Sequence, residues 1–329
     1  MPPPDKTSTP PSTASSFSTL HPDVIESHIL TRLDGPDLAS AASCSTTLRR
    51  LSSSDDLWSN ICHSTWPSTT SPRATHVIST FPHGGPRAFF SHVFPLFAEI
   101  NLSRSSSTPP PELISAVDVH YDGNLIFTKI HETDTQTAWF RCSPFRIDLL
   151  EAKDVVPTSI KHSDGGGAAA MTLSWILIDP TGRRAVNLSS HTAVAAQRHW
   201  LTGEEQVTFA SILAIDRGHV EFKIVVTCGV SENGEMQVRQ VSLEVEDMDG
   251  MHLNGKDSLV ILQGAMEGKR GTGIKRVEEG QRRYKEYVEM KRERRERKLR
   301  AEGVLDMFCM ACGVSIFVSF LVLCFVQKT

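Results

Sequence analysis

No G-x-x-x-x-G-K-[ST] loop, G-x-G-x-x-G, G-x-S-x-G or H-E-x-x-H occurs in the 329 residues, so the common nucleotide, hydrolase and zinc-protease signatures are missing. The thirteen histidines do not cluster with carboxylates, and Gly165-Gly166-Gly167 lacks the Lys-Ser/Thr of a phosphate loop. No feature of the chain argues for catalysis, and no catalytic residue, cofactor or metal site is expected. The seven cysteines are scattered and odd in number, so no disulfide framework is legible. This suits a reducing cytosol. Cys309 and Cys312 form a C-x-x-C with no further ligands nearby for zinc, and they read as residues of an apolar span, open to palmitoylation. The N-terminus has no apolar signal region and no cleavage signature.

The longest stretch without charge lies at the other end. Met307 to Val326 reads MFCMACGVSIFVSFLVLCFV. At about 1.5 Å per residue such a helix reaches roughly 30 Å, the thickness of a bilayer's hydrocarbon core. With only three residues after it, the run reads as a tail anchor inserted after synthesis, and the expected transmembrane helix covers 304–326. Before it, residues 275–302 hold twelve Lys or Arg against seven Asp or Glu, and this positive flank keeps the preceding domains in the cytosol. The flank reads as a basic juxtamembrane helix with Glu293-Arg297 and Glu296-Arg300 at i, i+4, set against anionic lipid. Its position leans toward the endoplasmic reticulum. Net charge is −4, and without the +5 flank the remainder carries −9 (−4 − 5), which argues against a nucleic-acid-binding body. Two N-x-S sequons, at Asn101 and Asn187, should stay unmodified in the cytosol and so report topology.

Residues 1–17 are rich in Pro, Ser and Thr and read as a disordered arm. Short helices follow in 18–66. Pro22 suits a first helical position, Val24, Ile25, Ile29, Leu30 and Leu33 fall at helical spacing, and Gly35-Pro36 is expected to stop that helix. Asp37 then offers an N-cap for a second helix through Leu38, a third carries Leu48 and Leu51, and a last turn bears Leu57 and Trp58. About 45 residues bury little surface by themselves, so some apolar surface should await a partner.

The pattern Leu20 and Pro22, Ile29-Leu30-x-x-Leu33, Leu38, Leu48-x-x-Leu51 and Leu57-Trp58 resembles an F-box. Moreover HILTRLDGPDLASAASCS, LWSNICHSTWPS, VISTFPHGGPRAFFSHVFPLF, SPFRIDLL, LSWILIDP, QRHWLTGE and VEDMDGMHLNGKDSLVILQ are similar to a plant F-box subfamily over nearly the whole chain. The resemblance implies a non-catalytic substrate-recognition subunit of an SCF-type ubiquitin ligase. Its partners would be a Skp-type adaptor with its cullin, an unknown protein substrate and membrane lipid. The adaptor would be met through Leu20, Pro22, Val24, Ile25, Ile29, Leu30, Leu33, Leu38, Leu48 and Leu51. Two departures are visible: His21 splits the usual Leu-Pro, and Leu48 stands where Trp is frequent. They leave open a tail-anchored binding protein uncoupled from any ligase.

Residues 67–112 read as a Phe-rich connection with Phe90, Phe94 and Phe97 on one helix face and a flexible linker from 101. From 113 to 270, runs of Val, Ile, Phe and Trp separated by turn clusters predict an antiparallel β-sandwich of about seven to nine strands. They include a hairpin around Asp122-Gly123-Asn124, a strictly alternating MQVRQVSLEVEDM and a last helix capped by Asp257. The fold class is therefore α+β. LSWILID and DGMHLNG bear a likeness to phloem-lectin-like sandwiches. Trp139, Trp175 and Trp200 with Arg198 or His191 would suit a sugar ring, although tryptophans on alternating strands more often form core.

Overall fold

The computed structural model describes residues 20–94, 97–99, 109–151, 153–161, 167–215, 218–270 and 276–327. The N-terminal arm and Asn101 lie outside the described residues.

The helical part opens with α1 (Pro22–Val24), which widens into a π turn at Ile25–Ile29 and tightens into a 3-10 turn at Leu30–Arg32. Three helices follow, α2 (Gly35–Cys44), α3 (Thr46–Leu51) and α4 (Asp55–Thr65). Gly35-Pro36 does not stop a helix but starts one. Asp34 is the N-cap of α2, its carboxylate accepting from the Asp37 N–H at 2.8 Å, and proline is welcome in a first turn where its missing N–H would have no partner. The segment expected to be a connection forms α5 (Pro72–Ser79) and α6 (Gly85–Val93). Phe97 is not on the α6 face. The helix ends at Val93, two residues before Pro95, which has no N–H to continue the ladder, and Phe97 opens the short strand β1 (Phe97–Glu99).

Two antiparallel sheets follow. The first, in the order β3-β2-β6-β7, contains β2 (Glu112–Tyr121), β3 (Asn124–Asp134), β6 (Met171–Asp179) and β7 (Arg184–Asn187). The β2–β3 turn is the expected hairpin, with Asp122 (φ 48°) and Gly123 (φ 75°) both left-handed, as a two-residue turn matched to strand twist requires. In the second sheet β8 (Ala195–Arg198), β9 (Glu205–Ile215), β10 (Gly218–Val230) and β11 (Glu235–Asp247) pair in turn, and β4 (Arg146–Asp148) and β5 (Val156–Lys161) share the outer edge of β11. The alternation along β11 is not strict: Val238 and Val241 both face inward because Arg239 is an extra residue in a bulge opposite Thr227 and Cys228. The short helix α7 (Ala138–Cys142) precedes β4. α8 (Gly255–Glu267), capped by Asn254 rather than Asp257, buries Leu259, Ile261, Leu262, Ala265 and Met266 in the sandwich core. β12 (Lys269–Arg270) pairs with β1.

The four-stranded sheet is a middle layer. Leu113, Val117 and Val119 of β2 and Leu173, Trp175 and Leu177 of β6 face the second sheet. Their alternate neighbours Ile114, Ala116, Ile176 and Ile178 face the helices and share one core with Leu38, Trp58, Trp66, Phe89 and Phe90. Both faces of these strands are apolar because both are covered.

α9 (Arg276–Val326) is one unbroken helix of 51 residues, running through Gly303 where two helices were expected. Its first half lies on the second sheet, and its second half leaves the body with Met307, Phe308, Met310, Ile316, Phe317 and Phe320 exposed.

Candidate adaptor-docking surface

The residues expected to meet an adaptor divide by burial. Ile25, Leu30, Leu38 and Leu51 are buried in the helical core, so their side chains hold α1, α2 and α3 together and offer no contact area. That corrects their assignment as contact residues. Leu20 and Val24 are 40% and 41% exposed. Pro22 is half-buried, and Ile29, Leu33 and Leu48 pack one side on the core and leave the other at the surface. The inserted His21 is absorbed at the helix start, where it is the N-cap and its Nδ1 accepts from the Asp23 N–H at 3.3 Å. Arg49 Nε donates to the Ala42 carbonyl at 3.3 Å and ties α3 to α2.

This surface is carried by aromatic packing. Phe90 of α6 lies 5.3 Å from both Trp58 and Trp66, Phe89 meets Trp66 edge-on at 6.0 Å, and Arg87 stacks over Trp58 at 5.9 Å. The Trp58 indole donates to the Ser52 carbonyl at 2.7 Å, so its one polar atom is satisfied. Gly35 at the start of α2 abuts the Phe90 ring so closely that a Cβ would lie 2.0 Å from it.

The helices are bolted to the sheet by polar groups. Asp118, buried on the helix-facing side of β2, accepts from the Ser68 N–H at 2.8 Å, the Ser68 hydroxyl at 2.5 Å and the Thr128 hydroxyl at 2.7 Å. Desolvation raises its pKa, and the Ser68 and Thr128 hydrogen bonds pull it back. A lone aspartate inside the apolar run ISAVDV was the available signal, and sequence reasoning missed it. Arg270 of β12 donates to the carbonyls of His92 at 2.9 Å, Ala185 at 3.0 Å and Ala265 at 2.8 Å, joining the ends of α6 and α8 to β7. Burial lowers its pKa to about 10, still well above neutrality, so it stays charged. Arg73 of α5 pairs with Glu112 of β2.

The aromatic set does not form one site. Trp175 is wholly buried in the sandwich core, which removes it as a sugar platform. Trp139 on α7 and Trp200 on the β8–β9 turn are 82% and 88% exposed. They stand on separate elements, and Trp200 stacks on its neighbour His199 at 6.5 Å. Arg198 is exposed on β8. Asn187 is buried, its Oδ1 accepting from the Trp175 and Ser189 N–H groups at 3.3 and 3.1 Å. The Asn187 side chain is thus covered in the folded chain. Glu244, Glu246 and His252 lie within ligand distance of one another, but Glu244 already pairs with Arg146 and Glu246 with Lys291 and Lys223. Burial pushes the Cys62 and Cys228 thiols up to about 12, which makes them inert.

α9 is fastened to the second sheet. Tyr287 is fully buried and donates to the Asp247 carbonyl at 3.2 Å, Lys291 pairs with Glu246 at 3.2 Å, and Arg294 grips Asp249 through two bonds of 3.0 and 2.7 Å. Part of the basic charge that sequence reasoning assigned to lipid is thus spent on the sandwich.

The F-box-like family pattern matches residues 22–64, the stretch from α1 through most of α4. A probable F-box protein of Arabidopsis thaliana is 47% identical over 94% of this chain and 93% of its own length. Two further F-box proteins of the same plant are 43% and 40% identical, each over 92% of this chain and over 94% and 88% of their own lengths. No solved structure matches the chain.

Proposed function

Because the chain belongs to the F-box proteins, we propose that it is the substrate-recognition subunit of an SCF-type ubiquitin ligase, held on a membrane by α9. F-box domains as a class dock on Skp-type adaptors, and F-box proteins as a class are non-catalytic adaptors. The observation that carries the proposal is the apolar remainder of the F-box helices. Leu20, Pro22, Val24, Ile29, Leu33 and Leu48 keep apolar area at the surface within or beside the matched segment, while their neighbours are consumed in the core. The membrane part rests on α9, whose apolar half is exposed from Val304 to Phe320 among the described residues. A helix of that length without charge is stable in hydrocarbon and costly in water. The sandwich would present the substrate, and tethering would raise the effective concentration of ligase and target on one surface.

The test is capture of a Skp-type adaptor and its cullin by the full chain in detergent. Leu20→Asp with Val24→Asp should weaken capture by about 1–2 kcal/mol per side chain while leaving the melting temperature unchanged, because both residues are already solvent-exposed. Failure of the folded wild-type chain to bind any Skp-type adaptor would sink the ligase reading.

A further inference from the structure

A groove of about 670 Å³ runs between α9 and the turn after β11, lined by Met248, Asp249, Val288, Lys291, Arg295, Lys298, Leu299 and Glu302 among others. The α9 members recur every three or four residues and so form one face of the helix. Lys291 and Asp249 are occupied by the ion pairs that dock α9. Arg295 and Lys298 are exposed and have no ion pair among the described residues, so two unspent cations point along the same groove.

Position selects the ligand. Lys298 and Arg295 precede Met307, the start of the uncharged run, by nine and twelve residues. Along a helix that is roughly 13 and 18 Å. The headgroup layer extends only about 5–8 Å beyond the hydrocarbon on each side. The two cations therefore stand above the phosphodiester plane of ordinary lipids, and Glu302, closer to the membrane, repels an anion held at that plane. A headgroup that carries phosphate away from the bilayer reaches them, whereas a serine headgroup does not. We propose that this groove binds the phosphorylated inositol headgroup of a membrane lipid, with Arg295 and Lys298 on its outer phosphates and Val288, Met248 and Leu299 as the apolar wall. The inference rests on the membrane reading of α9. It would make the orientation of the sandwich, and so the reach of the ligase, depend on lipid phosphorylation.

The experiment uses the full chain in nanodiscs of phosphatidylcholine alone, with phosphatidylserine, or with phosphatidylinositol bisphosphate. The lipids that stay with the protein are then identified by native mass spectrometry. Selective retention of the inositol lipid is expected, and Arg295→Gln with Lys298→Gln should weaken it roughly 30-fold, at about fivefold per surface cation. Arg300→Gln, which removes a cation already paired with Glu296, should leave retention unchanged. Equal retention of phosphatidylserine, or equal loss in both variants, would overturn the groove and leave only diffuse charge. Extraction of the wild-type chain from vesicles by alkaline carbonate would instead overturn the membrane reading itself.

Discussion

Where Gly35 begins α2 the ring of Phe90 fills the space that any Cβ would need, at 2.0 Å. Gly35→Ala must therefore push α2 off α6 or tilt the ring, and overpacking of this kind costs about 1–3 kcal/mol. A denaturant midpoint for Gly35→Ala should fall accordingly, and a second change, Phe90→Leu, should recover part of the loss by vacating the space. Additive losses in the double variant would show that the two sites do not touch in solution. His92, at the end of α6, makes a pH-dependent contribution. Burial lowers its pKa below 6.5, and the charges of Arg270 and Arg184 lower it further. A cation at a helix C-terminus is ordinarily welcome, but Arg270 already donates to the His92 carbonyl and a second charge there is repelled. The neutral ring is the native form. Its contribution is fully present above 6.5 and is lost as the pH falls below 6.5 toward the depressed folded value. Wild-type stability should therefore drop more steeply below that pH than the stability of His92→Gln. Parallel profiles would refute the assignment.

Among the elements, those legible in the sequence were the ones whose local signal and tertiary role agree. The Asp122-Gly123 hairpin was readable because two left-handed residues in a row admit few alternatives. LSWILID was readable as a strand, but its coverage on both faces was not, since an apolar run states that a strand is buried without naming what buries it. β4, β5 and β8 escaped because they are short and carry polar residues at the sheet edge, as in Arg146-Ile147-Asp148. The F-box helices were found by pattern, yet the same pattern mixed core leucines with surface ones, because both kinds recur at helical spacing. The charge of 275–302 points to a lipid-facing helix and gives no sign that Tyr287, within that polar run, is buried against the sandwich. Its burial predicts that Tyr287→Ala releases the first half of α9 from the second sheet. Hydrogen exchange should then accelerate across 276–294 while β2 and β6 keep their protection. Unchanged protection in α9 would mean that the ion pairs at Lys291 and Arg294 suffice to hold it, against the small value expected of such partly exposed pairs.

At the scale of the whole molecule, the F-box helices cannot be a detachable module. Their core is completed from outside by Phe89, Phe90 and Val93 of α6 and by Ile114, Ile176 and Ile178 on the outer face of the middle sheet. Burying each isoleucine is worth about 1.5–3 kcal/mol, so these three alone represent roughly 5–9 kcal/mol. That equals the entire stability of many domains. Removing the sheet from the helices also strips Ser68 of Asp118 and leaves that carboxylate facing an empty surface. Two consequences can be measured. A peptide spanning 20–66 should lack stable helix by circular dichroism, although it contains the matched F-box segment. In the full chain in detergent, tryptophan fluorescence and the β-sheet signal should lose their native values in one coincident transition. Trp58 and Trp66 report the helical core and Trp175 the sandwich, so separate midpoints for the two probes would mean that the layers unfold independently. A coincident transition means that the F-box helices and the sandwich unfold as one cooperative unit joined through the middle sheet. On the function proposed above, the spacing between an adaptor on the helices and a target on the sandwich would then be set by the fold.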